Sequence, residues 1–205
     1  MSRRSGSVSG WSAPVSPDFR HPMKPWVVKG SRIIIERRWL KLREDHVLLP
    51  AGGEIQEFHV IESPAWTSVV ALTDEARLIL VEQYRHGIAR VTLELPAGVI
   101  DTDETPLEAA RRELLEETGY AAKTWEPLIE VCPEPNRQNT RAHFFLARGA
   151  RKVKEPAFDD CEQIEAVLLE PAELWDAIDR GDFCHGVQLG ALLIAVRKGA
   201  FGVPR

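Results

Sequence analysis

The sequence predicts an α+β fold in which a few helices pack on a mixed sheet. Most of the chain reads as short β-rich segments, and only three segments read as helices. An order that mixes strands with few helices is typical of α+β proteins. The 205 residues are enough for one full domain, or for one domain and a small accessory unit.

The N-terminal part divides into a tail and a β-rich region. Residues 1–24 are rich in Ser, Gly, Pro and Arg, a composition that predicts a flexible tail. Residues 25–62 contain the β-rich segments RIIIERRWLKLRED and HVLLPAGGEIQEFHVI, and the turn sequence PAGG at 50–53 breaks them into short strands. We therefore expect a small antiparallel β region here, built as a meander or as hairpins.

Residues 63–205 are predicted to form the main domain. A turn at 73–76 separates its first two strands, and two helices close the chain. The predicted strands are WTSVVALTD, ARLILVEQYR, VTLELPAG, LIEVC, NTRAHFFLARG and QIEAVLLE, and the two closing helices are PAELWDAIDRG and VQLGALLIAVRKG.

Composition argues against several partners and compartments. The net charge of −5 and the pI near 5.7 disfavour nucleic acid polymers and acidic membranes. No apolar run approaches the roughly 18–20 residues of a membrane span, and the N-terminus lacks the apolar core of a signal peptide. The dispersed Cys132, Cys161 and Cys184 suit a reducing compartment and are interpreted as structural thiols. We expect a cytoplasmic protein.

The remaining predicted helix, which precedes the two closing helices along the chain, has clear start and stop signals. Thr105 is placed to be its N-cap, Pro106 its first residue, and Glu108 the partner that completes a capping box. Gly119 is suited to follow the last helical residue. These signals predict a helix over about 106–118.

This helix carries three glutamates that conflict with local rules. Glu113, Glu116 and Glu117 project to one side, where like charges repel. They also lie near the C-terminal end of the helix, where its dipole disfavours negative charge. Such local conflict is expected at functional sites, and a hard divalent cation such as Mg²⁺ or Mn²⁺ would resolve it. Taken alone, an acidic run is more often a solvated face.

The spacing around the helix favours the functional interpretation. The stretch resembles the Nudix box, in which G, five residues, E, seven residues, R-E-aliphatic, one residue, E-E, one residue and G follow in order. The resemblance implies an α/β/α sandwich with a mixed sheet. It also implies hydrolysis of a nucleoside diphosphate linked to another group, with Mg²⁺ or Mn²⁺. The matching residues are Gly98, Glu104, Arg112, Glu113, Leu114, Glu116, Glu117 and Gly119, and Tyr120 stands where an aliphatic residue is usual.

The resemblance also implies roles for the box residues. Glu113, Glu116 and Glu117 are then the metal ligands and catalytic residues, while Glu104 and Arg112 support the loop and helix by ion pairing. Metal neutralises the charge that spreads over phosphoryl oxygens in the transition state and activates the attacking water.

Two further stretches resemble the ADP-ribose and nucleoside-diphosphate-sugar pyrophosphatase branch. They are QYR at 83–85 and ELPAG at 94–98. In that branch the backbone carbonyl at the Ala97 position joins the metal shell, and the arginine at the Arg85 position contacts substrate phosphate, for which arginine is chemically suited. We take Arg85, Glu94 and Arg112 as substrate-binding candidates.

The same resemblance also implies candidates for the general base and a homodimeric state. Members of the branch often take the base from an acidic loop after the long strand, and here Glu162 is the first candidate and Asp160 the second. An N-terminal meander commonly builds a homodimer with a shared substrate site. Apolar and aromatic surface for contact or stacking comes from Trp26, Trp39 and Phe58.

Several alternatives remain open. The polar stretch at 136–139 departs from the Pro–Gly–Ser-like stretch usual after Pro135, which leaves room for GDP-mannose, another nucleotide sugar or a dinucleotide as substrate. A non-catalytic Nudix module that senses a nucleotide is a further alternative. An isopentenyl-diphosphate-type isomerase is disfavoured because no cysteine lies near the box.

Overall fold

The computed structural model describes residues 24–38, 40–157 and 163–203. In these ranges the chain forms two sheets and three α-helices, which confirms the α+β prediction. The predicted tail lies outside the described residues, except for Lys24. No helix in the described ranges is long and apolar enough to cross a membrane.

The N-terminal sheet is antiparallel, with the strand order β1-β2-β3. The predicted break at 50–53 is a turn, closed by a hydrogen bond from Leu49 N–H to the Gly53 carbonyl at 3.0 Å. A second turn at Arg38 separates β1 from β2. The sequence gives no signal for this turn, because neither neighbour of Arg38 is Gly or Pro. The strands are β1 (Val27–Arg37), β2 (Leu40–Leu48) and β3 (Glu54–Glu62).

The second sheet is mixed. Its strand order is β11-β5-β4-β10-β8, with β6 paired to β5, β7 to β4 and β9 to β10. The pair β4–β10 is parallel, and the other pairs are antiparallel. The strands are β4 (Trp66–Thr73), β5 (Leu78–Arg85), β6 (Arg90–Glu94), β7 (Ala97–Val99), β8 (Tyr120–Ala121), β9 (Thr124–Val131), β10 (Ala142–Lys152) and β11 (Ile164–Leu169).

The predicted strand VTLELPAG is wrong as a single element, because it divides into β6 and β7. Strands β4 and β5 pair directly only at 71–72 and 78–79, so the segment between β6 and β7 fills the gap where they diverge. Pro96 cannot donate to a strand ladder, but its carbonyl accepts from Val69 N–H at 3.0 Å. The ELPAG stretch therefore crosses the middle of the sheet.

Helices cover both faces of the mixed sheet, which confirms the sandwich. Helix α1 (Pro106–Thr118) packs on one face, and α2 (Pro171–Arg180) and α3 (Gly186–Arg197) pack on the other. Successive β4 side chains point to opposite faces, and each buried aliphatic side chain contributes about 1.5–3 kcal/mol. One core contains Val69, Ala71, Ala110 and Leu114, and the other contains Val70, Leu72, Leu174 and Leu192.

Helix α1 begins and ends as predicted. The capping box is complete, since the Thr105 hydroxyl accepts from Glu108 N–H and the Glu108 carboxylate accepts from Thr105 N–H. Gly119 ends the helix with φ +76°. A Cβ there would lie 2.1 Å from the Lys154 carbonyl oxygen, so both the backbone angle and the space require glycine.

The two sheets are joined beside the box. Ile61 N–H donates to the Arg137 carbonyl at 2.8 Å, and Asn139 N–H donates to the Ile61 carbonyl at 3.4 Å. The Asn139 side-chain oxygen also accepts from Ser63 N–H at 3.3 Å. The polar stretch between β9 and β10 thus fixes the end of β3.

Candidate active site

Arg112 is the centre of the charged cluster on α1. Its guanidinium donates to Glu104 at 2.6 and 3.2 Å, to Glu113 at 2.7 Å and to Glu116 at 3.2 Å. It also donates to the Val99 carbonyl at 3.0 Å. These bonds, that to Glu104 above all, raise the pKa of Arg112. The predicted Glu104–Arg112 ion pair is present, and it ties the loop before α1 to the helix.

Strand β7 lies directly against the acidic face of α1. The Glu117 carboxylate is buried and accepts from Ala97 N–H at 3.0 Å. A Cβ on Gly98 would lie 1.9 Å from Glu113 Oε1, so a larger residue here would force the Glu113 carboxylate to move. The box glycine and the box glutamates therefore form one contact surface.

The donor chemistry of this surface fits a hard divalent cation, because Mg²⁺ and Mn²⁺ prefer carboxylate and carbonyl oxygens. Within the described ranges, however, no three acidic, His or Cys side chains converge as a ready ligand group. Arg112 binds Glu113 and Glu116, and Glu117 binds Ala97 N–H. Metal binding would require the carboxylates to exchange some of these contacts.

A first cavity of about 1220 Å³ opens over the acidic face of α1. Residues around the turn between β1 and β2 and Ala157 also line this cavity. Its charged lining includes Arg37, Lys41, Arg112, Glu113, Glu116 and Glu117.

A second cavity of about 720 Å³ adjoins the first. The two share Ser63, Pro64 and the strand residues 97–99 as a common wall. The residues that line only the second cavity come from β4, from the end of β5 with the 3₁₀ turn that follows, from β6, from the connection between β9 and β10, and from residues just before and within the first turn of α3. They include Trp66, Arg85, Ile88, Glu94, Cys184 and His185.

Arg85 and Glu94 form a two-bond ion pair at the edge of the second cavity. Arg85 donates from Nε at 2.7 Å and from Nη2 at 2.6 Å, and the Thr92 hydroxyl donates to the same carboxylate at 2.8 Å. Burial alone would raise the pKa of Glu94, but the bonds and charge of Arg85 hold it below its ordinary value. The Arg85 side chain stays 44% exposed.

Arg85 also lies within the electrostatic reach of α1. The bond to Glu94 is the main cause of its raised pKa, and the charge of Glu117 adds to the shift. The charge of the acidic face that lines the first cavity therefore acts on Arg85, which lines the second.

Gln188 is a functional candidate that sequence reasoning missed. It is fully buried, accepts from Leu95 N–H at 2.8 Å and donates to the Leu95 carbonyl at 3.3 Å. Helix α3 thereby holds the segment that carries Glu94 and Ala97. The available signal was a lone amide in an otherwise apolar helix.

The structure brings most of the candidate residues together. Ala97, Arg112, Glu113, Glu116 and Glu117 line the first cavity, and Arg85, Glu94 and again Ala97 line the second.

Some predictions lie elsewhere or need correction. Asp160, Glu162 and Trp39 are outside the described residues. Trp26 and Phe58 pack edge to face at 5.6 Å within the same chain, and neither lines the two cavities. Cys184 is exposed and lines the second cavity, and its interpretation as a structural thiol stays a prediction.

Comparison with known proteins agrees with this geometry. Residues 63–186 match the NUDIX domain, and residues 26–61 match the nucleoside diphosphate sugar hydrolase N-terminal domain. A methanol dehydrogenase activator of Bacillus methanolicus is 34% identical over 66% of this chain and 74% of its own length. An ADP-ribose pyrophosphatase of Mycobacterium tuberculosis is 33% identical over 80% of each chain.

A solved structure gives the same fold. The crystal structure of an ADP compounds hydrolase superposes with a TM-score of 0.78 at 21% identity, and the match covers 90% of this chain and all of that one. With the box, the sandwich and the family matches in agreement, the chain belongs to the Nudix hydrolases.

Proposed function

We propose that this chain hydrolyses the diphosphate bond of ADP-ribose or a related nucleoside diphosphate sugar. The products are a nucleoside monophosphate and a sugar phosphate. The observation that carries the proposal is the wall of residues 97–99, which has the α1 carboxylates on one side and the Arg85 cavity on the other. The similarity to ADP-ribose pyrophosphatases supports the choice of substrate class.

Arg85 is the proposed phosphate contact. Two of its nitrogens are held by Glu94, so the guanidinium has a fixed orientation while part of it faces the cavity. A planar guanidinium suits phosphate oxygens better than a lysine ammonium does. In the proposed site, Glu94 orients Arg85 and does not itself contact the phosphate.

Glu113, Glu116, Glu117 and the Ala97 carbonyl are the proposed holders of Mg²⁺ or Mn²⁺. When bound, such a cation neutralises charge on the phosphoryl oxygens and lowers the pKa of water. Arg112 keeps Glu113 and Glu116 close together through its bonds to both. Gly98 lets the backbone of β7 approach the same carboxylates.

Glu162, and after it Asp160, remain the proposed general bases. The chain enters their segment at Ala157, whose N–H donates to the Glu116 carbonyl at 2.9 Å in the wall of the first cavity. A base must come within about 2.6–3.2 Å of the attacking water.

We also propose that the active form is a homodimer built on the N-terminal sheet. All eleven residues of β1 are exposed in the single chain, and the apolar Val27, Ile33, Ile34 and Ile35 are between 37% and 59% exposed. Contiguous apolar surface of this kind marks interaction sites.

A cytoplasmic location stays a prediction.

A substrate panel tests the proposal. Purified protein with Mg²⁺ would receive ADP-ribose, ADP-glucose, GDP-mannose and a dinucleotide, and kcat/KM would be measured for each. The highest value for ADP-ribose or another nucleotide sugar supports the proposal. A preference for the dinucleotide changes the substrate class, and nucleotide binding with no turnover in Mg²⁺ or Mn²⁺ favours the sensor alternative.

A further inference from the structure

Leu95 and Pro96 lie between β6 and β7 and belong to neither strand. Strand β6 pairs with β5 and β7 pairs with β4, so the backbone changes its partner strand at this point. Leu95 is buried, and a buried backbone N–H or carbonyl without a hydrogen bond costs free energy. The backbone of Leu95 therefore needs partners that the two strand pairs do not provide.

Gln188 supplies a partner for each of these backbone groups. Its side-chain oxygen accepts from Leu95 N–H at 2.8 Å, and its side-chain nitrogen donates to the Leu95 carbonyl at 3.3 Å. Because an amide has its acceptor oxygen and its donor nitrogen on different atoms, the two bonds together fix which way the side chain faces. The amide thus takes the place of a neighbouring strand at this one residue. Gln188 lies on α3, just beyond the matched residues 63–186.

Apolar packing does not explain a polar residue at position 188. The other buried residues of α3 are Ala191, Leu192 and Ala195, and Gln188 is itself fully buried. Burial of an amide is unfavourable unless its polar atoms are hydrogen-bonded, and a methionine would fill a similar volume without that requirement. The bonds to Leu95 therefore account for the polarity of this position.

Leu95 lies between two residues of the candidate site. Glu94, one residue before it, holds Arg85 through two bonds. Ala97, two residues after it, donates its N–H to Glu117 at 3.0 Å. Extended backbone advances about 3.3 Å per residue, so a displacement of Leu95 is carried directly to both neighbours.

We infer that Gln188 is a positioning residue of the candidate active site, which holds the Ala97 carbonyl where it can share a cation with the α1 carboxylates. The inference rests on the proposed function, because that proposal makes the Ala97 carbonyl a holder of Mg²⁺ or Mn²⁺. Gln188 contacts neither the cation nor a phosphate in this assignment and acts through the backbone of Leu95. Loss of such an outer hydrogen bond at a metal site typically weakens metal binding about 10–100-fold.

Mn²⁺ binding tests this role without substrate or turnover. The free ion would be followed by electron paramagnetic resonance, well below the Tm of each variant. Gln188→Met removes both bonds at similar volume and is expected to raise the Mn²⁺ Kd about ten-fold or more. Leu192→Val is the matched control, since Leu192 is fully buried on the same helix and lines neither cavity. It should lower Tm and leave the Mn²⁺ Kd unchanged, which is also what a merely structural role of Gln188 would give.

Gln188→Glu tests whether the two bonds themselves matter. The protonated carboxyl of this variant accepts from Leu95 N–H and donates to the Leu95 carbonyl, as the amide does. Burial raises the pKa of a carboxyl, so the Mn²⁺ Kd relative to that of the unaltered protein should be near 1 at about pH 6. The ratio should grow as the carboxyl ionises and loses its donor. Taking the ratio at each pH cancels the titration of groups that both proteins share, including those lining the second cavity with Gln188, which are Arg85, His86, Glu94, Cys184 and His185.

The outcomes separate this inference from the proposed function. An unchanged Mn²⁺ Kd in Gln188→Met would overturn the inference, and so would a Gln188→Glu ratio at pH 6 as high as that of Gln188→Met. Absence of Mn²⁺ binding to the unaltered protein would overturn it too. If Gln188→Met does not fold, the ratio for Gln188→Glu decides alone.

The substrate panel supplies the other half of the comparison. If nucleotide sugars are hydrolysed while the unaltered protein and the Gln188 variants bind Mn²⁺ equally, only this inference fails. If no nucleotide sugar is hydrolysed while the Mn²⁺ Kd values change as expected, the proposed function fails and the positioning role of Gln188 stands.

Discussion

At the scale of single residues, two arginines hold the carboxylates of the site. Arg112 gathers Glu104, Glu113 and Glu116, and Arg85 pairs with the buried Glu94. The repulsion expected among the α1 glutamates is therefore offset by a guanidinium in their midst. We propose that a divalent cation enters this group of carboxylates by replacing bonds to Arg112.

Removing the charge of one α1 carboxylate should stop turnover and leave the fold intact. We expect Glu116→Gln or Glu117→Gln to lower kcat on the order of 100-fold or more, as loss of one transition-state contact does. Glu165→Gln, at an exposed position of β11, serves as the control with unchanged kcat. Unaltered turnover of the Glu116 and Glu117 variants in saturating Mg²⁺ would refute the metal-ligand assignment.

Arg85→Ala should raise KM and change how stability depends on pH. In the unaltered protein the pKa of Glu94 lies below its ordinary value of 4.5, so the pair stabilises the fold above that pH and loses this contribution as pH falls. In the variant the bonds and charge of Arg85 no longer oppose burial, and only the Thr92 bond and the charge of His185 still lower the pKa of Glu94. The pKa of Glu94 should therefore rise, and its protonation should restore stability at lower pH.

The loss in Tm on Arg85→Ala should therefore be larger at about pH 8 than at about pH 5.5. An unpaired buried carboxylate costs on the order of 2 kcal/mol. Arg90→Ala is the control, because Arg90 is 48% exposed and pairs only loosely with Asp182 at 3.7 Å. Equal Tm losses at both pH values, or an unaltered KM for every accepted substrate, would contradict the account.

At the scale of elements, the site depends on β7 lying against α1. The contacts are those of Ala97 N–H with Glu117 and of Gly98 with Glu113. Gln188 of α3 fixes the preceding Leu95 from the other face of the sheet. Three elements from distant parts of the chain thus determine where the backbone meets the carboxylates.

Gly98→Ala should displace Glu113, because the new Cβ would overlap its carboxylate. A shift of about 1 Å at such a site costs about 100-fold in rate, so kcat/KM should fall by that order. Gly190→Ala in α3 is the control, since a Cβ there meets nothing within 4 Å. It should stabilise the helix by about 0.5–1 kcal/mol with unchanged kcat/KM. Normal activity of Gly98→Ala would show that this contact is dispensable.

At the scale of the whole molecule, local signals were predictable from the sequence and long-range ones were not. Helix α1 was predicted with its ends because Thr105, Pro106 and Gly119 act within one helix. The split of VTLELPAG depends on the divergence of β4 and β5, which no window of sequence contains.

The candidate site likewise has residues that the sequence could predict and residues that it could not. The box residues of the first cavity are close in sequence and have a specific spacing, so they could be recognised together. The second cavity combines Trp66, the residues around Arg85 and the start of α3, which are far apart in sequence. Its lining residues, and the buried hydrogen bonds between Gln188 and Leu95, could be identified only once the fold was known.

The exposed β1 surface should make the protein dimeric. Light scattering is expected to give twice the chain mass of 23.0 kDa, and Ile33→Lys should give the single chain mass, because a lysine on a strand surface opposes pairing. Leu193→Lys, at a 59% exposed position of α3, is the control that stays dimeric. A single-chain mass for the unaltered protein would contradict the proposed homodimer.

The most direct test of the central claim is product analysis with ADP-ribose. Unaltered protein and Glu117→Gln would be compared in Mg²⁺ and in EDTA, and the products separated by chromatography. We expect AMP and ribose 5-phosphate in equal amounts from the unaltered protein in Mg²⁺, and almost none in EDTA or from the variant. Equal product formation with EDTA, or by Glu117→Gln, would contradict the claim that the α1 carboxylates hold a metal for diphosphate hydrolysis.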